Sequence, residues 1–169
     1  MTFRELFEVG SCFEAFLNKD QDINREKTLE IYNSITLEEE LVHRIKEIGA
    51  VIKILVFAEI WCPDCVINVP ALQKIKEINP NIEFRILPRE GNEIYMEPYK
   101  VGGKTKIPTF IVLDNDYKEK GAFLEIPKTL KEVVGKGNQV EIIVAKRKYK
   151  KGEYISSTIE EILDIINRK

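Results

Sequence analysis

The amino-acid sequence predicts an α/β fold: a mixed β-sheet with a central βαβ unit and a C-terminal β-hairpin plus helix, flanked by extra N- and C-terminal helices. Three observations support this prediction. A β-branched, nearly continuous apolar run at 51–57 is followed by a segment with helical spacing and by a second predicted strand at 82–87. Residues 109–125 contain two strand-like runs separated by turn residues. Both ends of the chain carry apolar residues at helical spacing.

The composition indicates one globular domain of 169 residues, 44% hydrophobic and 32% charged. A net charge of -2 gives no reason to expect a nucleic-acid partner. The N-terminus lacks the basic and apolar regions of a secretory signal. The most apolar stretch, 48–58, contains Lys53 and is too short to cross a bilayer. We therefore expect a cytoplasmic monomer with an N-terminal extension (1–49), a core (50–136) and a C-terminal helical extension (137–169), bound to neither nucleic acid nor membrane.

The N-terminal extension is predicted to be helical. Its first apolar residues recur at helical spacing with charged residues between them: Phe3, Leu6, Phe7, Phe13, Phe16 and Leu17. A further helix is predicted over 25–34. Thr36, followed by Glu39, matches a capping box, which predicts another helix that ends at Gly49.

The core begins with a strand over 51–57 of the kind that is buried on both faces, as in parallel sheets covered by helices. A helix over 65–78 follows and is stopped by Asn79-Pro80. A second strand over 82–87 completes a βαβ unit, for which a right-handed crossover is expected.

The remaining elements are predicted in order as a short helix over 92–97 limited by Pro98, a strand over 109–113, a turn at Asn115-Asp116, an antiparallel strand over 117–125 and a helix over 128–134. Residues 140–145 fit a helix or a strand. We prefer a helix, because the basic run 146–151 and Gly152 are typical of a helix C-terminus. The last helix is predicted to start at Ser157 or Thr158.

The chemistry is expected at Trp61-Cys62-Pro63-Asp64-Cys65, where the first core strand ends and its helix begins. A helix N-terminus presents unpaired N–H groups and partial positive charge, so it favours a thiolate. Pro63 suits the first helical turn because its missing N–H would have no partner there. We predict that Cys62 is the exposed nucleophile with a lowered pKa and that Cys65 is the less exposed resolving thiol.

This cysteine pair predicts thiol–disulfide exchange. The Cys62 thiolate would attack a substrate disulfide, and Cys65 would then displace the reduced substrate and leave a 62–65 disulfide. Asp64 adds negative charge beside the thiols and should keep the Cys62 pKa from falling far, so we expect a reductant. Trp61 is expected to shape the contact surface. No cofactor is needed, because the dithiol carries both electrons.

A second motif, Lys106-Ile107-Pro108-Thr109-Phe110, places a proline at the entrance to a predicted central strand. Proline is disfavoured there unless it starts the strand or follows a cis peptide bond. A cis Ile107–Pro108 bond packed against the cysteine pair would explain the position.

These two motifs in this order resemble those of the thioredoxin superfamily over residues 50–136. The resemblance implies a cis Pro108 beside Cys62 and Cys65, and an Ile107 backbone that pairs with extended substrate. The form WCPDC is most similar to small cytosolic thioredoxin-related proteins and some bacterial thioredoxin-like proteins. It implies a role in cell redox homeostasis, with disulfide-containing proteins or small molecules as substrates. The electron donor would be a thioredoxin reductase or a low-molecular-weight thiol.

The sequence departs from the family pattern at two places. Thioredoxin carries a buried Asp six residues before the first cysteine, where this chain has Val56. Glu59 and Asp64 are candidate replacements for that acid. The helical N-terminal extension also stands in place of the usual first strand and helix.

The remaining candidate residues do not predict a second functional site. Zinc requires four ligands, and only Cys12 and His43 remain besides the cysteine pair, so no metal site is predicted. Cys12 is expected in the core and His43 on a solvated helix face. Gly102-Gly103 should allow the tight approach to the proline turn, and the basic run 146–151 should be a solvated face.

Two alternative functions stay open. One is a thioredoxin-fold adaptor or redox-sensing binding module that holds a partner through its extensions. The other is a glutathione-using, glutaredoxin-like variant, which is less favoured because the motif is not C-P-Y-C.

Overall fold

The computed structural model describes residues 1–169 and contains one four-stranded sheet in the order β2-β1-β3-β4. Its strands are β1 (Ile52–Phe57), β2 (Ile82–Leu87), β3 (Thr109–Leu113) and β4 (Glu119–Leu124). β1 runs parallel to β2 and antiparallel to β3, and β3 runs antiparallel to β4. The sheet is therefore mixed, and the predicted α/β class with a βαβ unit and a C-terminal hairpin is confirmed.

Nine helices surround the sheet: α1 (Phe3–Val9), α2 (Phe13–Leu17), α3 (Ile23–Ser34), α4 (Glu39–Lys46), α5 (Pro63–Ile78), α6 (Glu93–Met96), α7 (Lys128–Gly135), α8 (Gln139–Lys150) and α9 (Ile155–Ile166). The helix preferred for 140–145 is confirmed as part of α8. A 3-10 turn, Glu97–Tyr99, follows α6 and continues past Pro98, which the sequence suggested as a helix limit.

The strand β1 lies at the centre of the fold, as its composition predicts. Five of its six residues are buried, because neighbouring strands pair with both of its edges and helices cover the sheet. Only Lys53 is partly exposed, and its ammonium lies over the Phe7 and Tyr117 rings at 5.4 and 5.1 Å.

The prediction of a helix that starts at Thr36 is wrong. α4 begins only at Glu39, because Ile35 and Leu37 pack against the core from the segment before it. The helix also ends at Lys46, before Gly49. The N-terminal extension does contain a capping box, but it lies at the start of α1. There, the side chains of Thr2 and Glu5 each accept a hydrogen bond from the backbone N–H of the other residue.

Two further expectations for the chain termini need correction. Cys12 is exposed and does not lie in the core, because it precedes the first turn of α2 and Phe13 takes the inward position. α9 begins at Ile155, two or three residues earlier than predicted, because Gly152, at φ 84°, ends the preceding turn. His43 is exposed on α4 as predicted, and its Nε2 lies 3.0 Å from Glu47 Oε1.

The two extensions pack onto the core and share its interior. A single cluster of 43 buried residues extends from Leu6 to Ile166. α3 and α9 pack on α5, and α9 also contacts β4. Ser11 forms an isolated antiparallel bridge with Ile86, so the N-terminal segment pairs with the outer edge of β2. No helix is long and apolar enough to span a membrane.

Candidate functional site

The cysteine motif occupies the connection between β1 and α5. Cys62 has an extended backbone and precedes the first helical residue, Pro63. Its carbonyl accepts the first helical hydrogen bond from Val66 N–H at 3.0 Å, and its own N–H donates to Glu59 O at 3.1 Å. This geometry directs the free N–H groups of the first α5 turn toward the Cys62 sulfur.

The prediction that Cys62 is exposed is wrong. Cys62 is only 6% exposed, while Cys65 is fully buried at 0%. The loop before β3 covers Cys62, and the Cys62 thiol donates to Ile107 O at 3.7 Å. The two cysteines still differ in the predicted direction, because Cys62 retains some solvent exposure and Cys65 has none.

Trp61 and the proline turn flank the Cys62 sulfur. Trp61 is 54% exposed, and the Arg89 guanidinium lies 5.6 Å from its ring centre. The Ile107–Pro108 peptide bond is cis. The Pro108 carbonyl accepts from Glu125 N–H at 2.8 Å, which ties the turn to the end of β4. The Ile107 carbonyl thus lies beside Cys62, and the pairing of the Ile107 backbone with substrate stays a prediction.

Two glycines allow the approach to this turn. Gly102 and Gly103 have φ values of 56° and 75°, which are strained for residues with a Cβ. They form the tight turn that precedes the proline motif, as the sequence predicts.

The two thiols have opposite pKa shifts. The hydrogen bond from the Cys65 side chain lowers the pKa of Cys62, and the Cys65 and Asp64 backbone N–H groups lower it further, while burial and the Asp64 charge oppose them. Burial raises the pKa of Cys65 well above its usual value, and the hydrogen bond to Cys62 adds to this shift. The pair therefore favours one thiolate, at Cys62, stabilised by a thiol at Cys65.

The Asp64 carboxylate is held by a buried hydrogen-bond network. Tyr149 Oη donates to Asp64 Oδ1 at 2.8 Å and accepts from Asn68 Nδ2 at 2.8 Å. Thr158 Oγ1 donates to Asn68 Oδ1 at 2.8 Å. Tyr149, Asn68 and Thr158 are all buried. The network connects the α8 and α9 helices of the C-terminal extension to Asp64, which lies between the two cysteines in the sequence.

This network shifts the pKa values of its two acidic members. Burial raises the pKa of Asp64, while the hydrogen bond from Tyr149 lowers it. Burial and the neighbouring Asp64 charge raise the pKa of Tyr149 far above its ordinary value, so the phenol stays protonated and acts as a donor. Nearby, Lys106 Nζ lies 3.4 Å from Glu125 Oε1, and both charges act on Asp64.

Sequence reasoning missed Tyr149, Asn68 and Thr158. One signal was available: Asn68 is a polar residue in an otherwise apolar stretch of α5, and such a residue needs hydrogen-bond partners when buried. Tyr149 lies in the basic run, which was interpreted as a solvated face. Its neighbours Lys148 and Lys150 are exposed, but Tyr149 itself is 6% exposed.

The position of the family's buried acid holds Val56, which is 0% exposed. Of the two candidate replacements, Glu59 directs its carboxylate elsewhere: its Oε1 accepts from the N–H groups of Arg89 and Glu90 at 2.9 and 3.3 Å. Asp64 is the acid whose charge acts on both Cys62 and Cys65. The structure gathers no cluster of three or more histidine, cysteine or acidic side chains that could hold a metal ion.

Comparisons with known proteins agree with this geometry. A family model described as "Thioredoxin" matches residues 10–147, which extends beyond the 50–136 range of the motif resemblance. A protein of unknown function from Pseudomonas aeruginosa, solved by crystallography at 1.5 Å, is 30% identical. Its TM-score is 0.87, and the alignment covers 98% of this chain and 97% of that one.

A second similar structure is an HIV epitope-scaffold, 28% identical with a TM-score of 0.86 over 98% of each chain. The search of curated proteins found no match. The alignments show that both extensions are shared with these structures. The family match, together with the arrangement of the strands, helices and cysteine pair, shows that this chain belongs to the thioredoxin superfamily.

Proposed function

We propose that the protein is a thiol–disulfide oxidoreductase that reduces disulfides through Cys62 and Cys65. The observation that carries the proposal is the asymmetry of the pair at the start of α5. Cys62 keeps an exposed edge and a lowered pKa, whereas Cys65 is fully buried and its pKa is raised. A nucleophile and a resolving thiol require this difference.

The reaction balances within the dithiol. The Cys62 thiolate attacks one sulfur of the substrate disulfide, so that a Cys62–substrate S–S bond forms and the substrate S–S bond breaks. The departing substrate thiolate takes a proton. Cys65 then attacks Cys62 Sγ, which forms the 62–65 disulfide and breaks the Cys62–substrate bond. The proton that Cys65 loses goes to the departing substrate sulfur, which leaves as the second thiol. The protein has lost two electrons, and the substrate has gained them.

The direction of net flux follows from the charge near the pair. The Asp64 charge raises the pKa of Cys62 and opposes the hydrogen bonds that lower it. Strong oxidants of this class gain their potential from a very stable thiolate. We therefore propose a reductant, reloaded by a reductase or a low-molecular-weight thiol, that works as a monomer in a reducing compartment such as the cytoplasm.

Site-directed variants test the proposal. The reduced wild type should reduce a model disulfide, and Cys62→Ser should abolish the reaction. Cys12→Ser is the matched control, because it removes an exposed thiol that lies beside Gln73 and Lys76 and not at the cysteine motif, and it should leave the rate unchanged. Activity that persists in Cys62→Ser would contradict the proposal, and a wild type that reduces no disulfide would favour a non-catalytic adaptor. Cys65→Ser should accumulate mixed disulfides with substrates, which mass spectrometry can identify.

A further inference from the structure

A groove of about 590 Å³ lies beside the cysteine motif. Its walls come from α3, from the start of α5 and from the end of α8, so each of the two extensions contributes one side. Trp61 and Pro63, the sequence neighbours of Cys62 on either side, form part of its lining. The volume lies within the range of pockets that take small ligands or short peptide segments.

The floor of this groove is apolar. Val66 and Ile67 lie on it and are 7% and 5% exposed, and Ile31 is half-buried. Trp61 stands beside it with 54% of its surface exposed. An exposed tryptophan adjoining an apolar floor offers area that a bound segment would bury.

The rim of the groove is positively charged. Lys27, Lys150 and Lys151 line it, all three exposed, and Glu30 is the one acidic residue among its lining. The ion pairs of the chain involve other residues, so these three ammonium groups have no carboxylate partner within 4 Å. Arg89 adds a further positive charge at the Trp61 ring. This charge is local, because the whole chain carries a net charge of -2.

The Asp64 carboxylate lies outside the groove, so it does not neutralise the lysines of the rim. It is not part of the groove lining and is turned toward Tyr149 in the buried network. The groove therefore combines an apolar floor with a cationic rim beside Trp61 and Pro63, the two residues that flank Cys62 in the sequence.

We propose that this groove binds an acidic peptide segment adjacent to the disulfide of the substrate. The inference rests on the proposed function and specifies its substrate class. Carboxylates of the segment would pair with Lys27, Lys150 and Lys151, and an apolar side chain would cover Val66 and Trp61. Because exposed charges act mainly on association, the preference should appear in the second-order rate constant and weaken with salt.

The test compares three disulfides reduced by the reduced protein. Two are peptides with one internal disulfide and one apolar residue, identical except that the flanking residues are Asp and Glu in one and Lys in the other. The third is bis(2-hydroxyethyl) disulfide, which is uncharged. At low salt, the wild type should reduce the acidic peptide about tenfold faster than the basic one.

Charge-reversal variants locate the preference. Lys150→Glu with Lys151→Glu should remove or invert it, and Lys27→Glu, on a different helix, should reduce it independently. Lys46→Glu with Lys118→Glu is the matched control: it changes the net charge equally, at residues outside the groove lining, and should retain the preference. Circular dichroism verifies that each variant is folded. The rate with the uncharged disulfide should be unchanged in the Lys46→Glu with Lys118→Glu control, and in every variant it serves to normalise the rates with the two peptides.

The outcomes separate the two proposals. Equal rates for the two peptides, or a preference that survives both groove variants, would overturn the acidic-segment inference while reduction of the uncharged disulfide upholds the proposed function. Failure to reduce any of the three disulfides would overturn the proposed function itself. In that case, a titration of Cys62→Ser with the acidic peptide, monitored by nuclear magnetic resonance, still decides whether the groove binds the segment.

Discussion

Removing the hydroxyl in Tyr149→Phe should destabilise the protein by an amount that depends on pH. The hydroxyl donates to Asp64 Oδ1 at 2.8 Å and accepts from Asn68 Nδ2 at 2.8 Å. Asn68 Nδ2 keeps the Asp64 carbonyl as an acceptor at 2.9 Å. The Asp64 carboxylate loses the buried side-chain donor that faces it.

The expected magnitude follows from that lost bond. A hydrogen bond to a charged group contributes about 1.5–3 kcal/mol, and one between neutral groups about 0.5–1.5 kcal/mol. Because Asn68 remains bonded, we assign the loss mainly to the Asp64 contact. The free energy of unfolding should therefore fall by about 2 kcal/mol at neutral pH.

The sign of the pH dependence follows from the pKa of Asp64. Burial raises this pKa and the Tyr149 hydrogen bond lowers it, so the variant raises it further. A carboxyl with a higher pKa in the folded state contributes stability that is present below its unfolded pKa and lost as the pH rises through its folded pKa. As the pH rises from the unfolded to the folded pKa of Asp64, the free energy of unfolding should therefore fall more in the variant than in the wild type. Its deficit should be about 1 kcal/mol below about pH 4 and about 2 kcal/mol at neutral pH.

Urea unfolding at both pH values measures this difference. Tyr154→Phe is the matched control, since its ring packs against Tyr149 at 6.4 Å and its hydroxyl lies outside the network. That variant should show a small loss that does not change with pH. An equal deficit for Tyr149→Phe at both pH values, or none at neutral pH, would refute the assignment of the bond to an ionised Asp64.

Three further perturbations test the site and the core. Asp64→Asn removes a charge that raises the pKa of Cys62, so thiolate absorbance should titrate at lower pH than in the wild type; an unchanged midpoint would contradict this. Phe16→Ala, at a fully buried position, should cost about 3–5 kcal/mol in urea unfolding, whereas Val9→Ala, at a 61% exposed position, should change stability by less than about 0.5 kcal/mol. Val56→Asp should cost about 3 kcal/mol or more in urea unfolding at neutral pH and less in acid, because Val56 is fully buried; a pH-independent cost would show that the new carboxyl has the same pKa in the folded and unfolded states.

Much of the fold could be predicted because its signals are local. The strands 82–87 and 109–113 have the bounds that the sequence predicts, since turn residues flank both. The first alternates apolar with charged residues, and the second is a short apolar run. The position of Cys62 before α5 follows likewise from a strand, a proline and a helical period.

The errors in prediction have a common cause. Thr36 satisfies a local capping pattern, but burial of Ile35 and Leu37 holds that segment outside the helix. Cys12 was expected inside because it is a small apolar side chain, whereas the neighbouring Phe13 takes that space. In each case, packing against distant residues outweighed a local preference.

The sequence by itself determined the order of strands and helices, the cysteine pair and its place at a helix start, because these depend on residues within a few positions of each other. Only the tertiary structure decided that Cys62 is nearly buried beneath Ile107, and that Tyr149 bonds to Asp64 across 85 positions of the chain. Such contacts depend on how helices stack on the sheet, and the free energy of that packing is distributed over the whole core rather than encoded in any one segment.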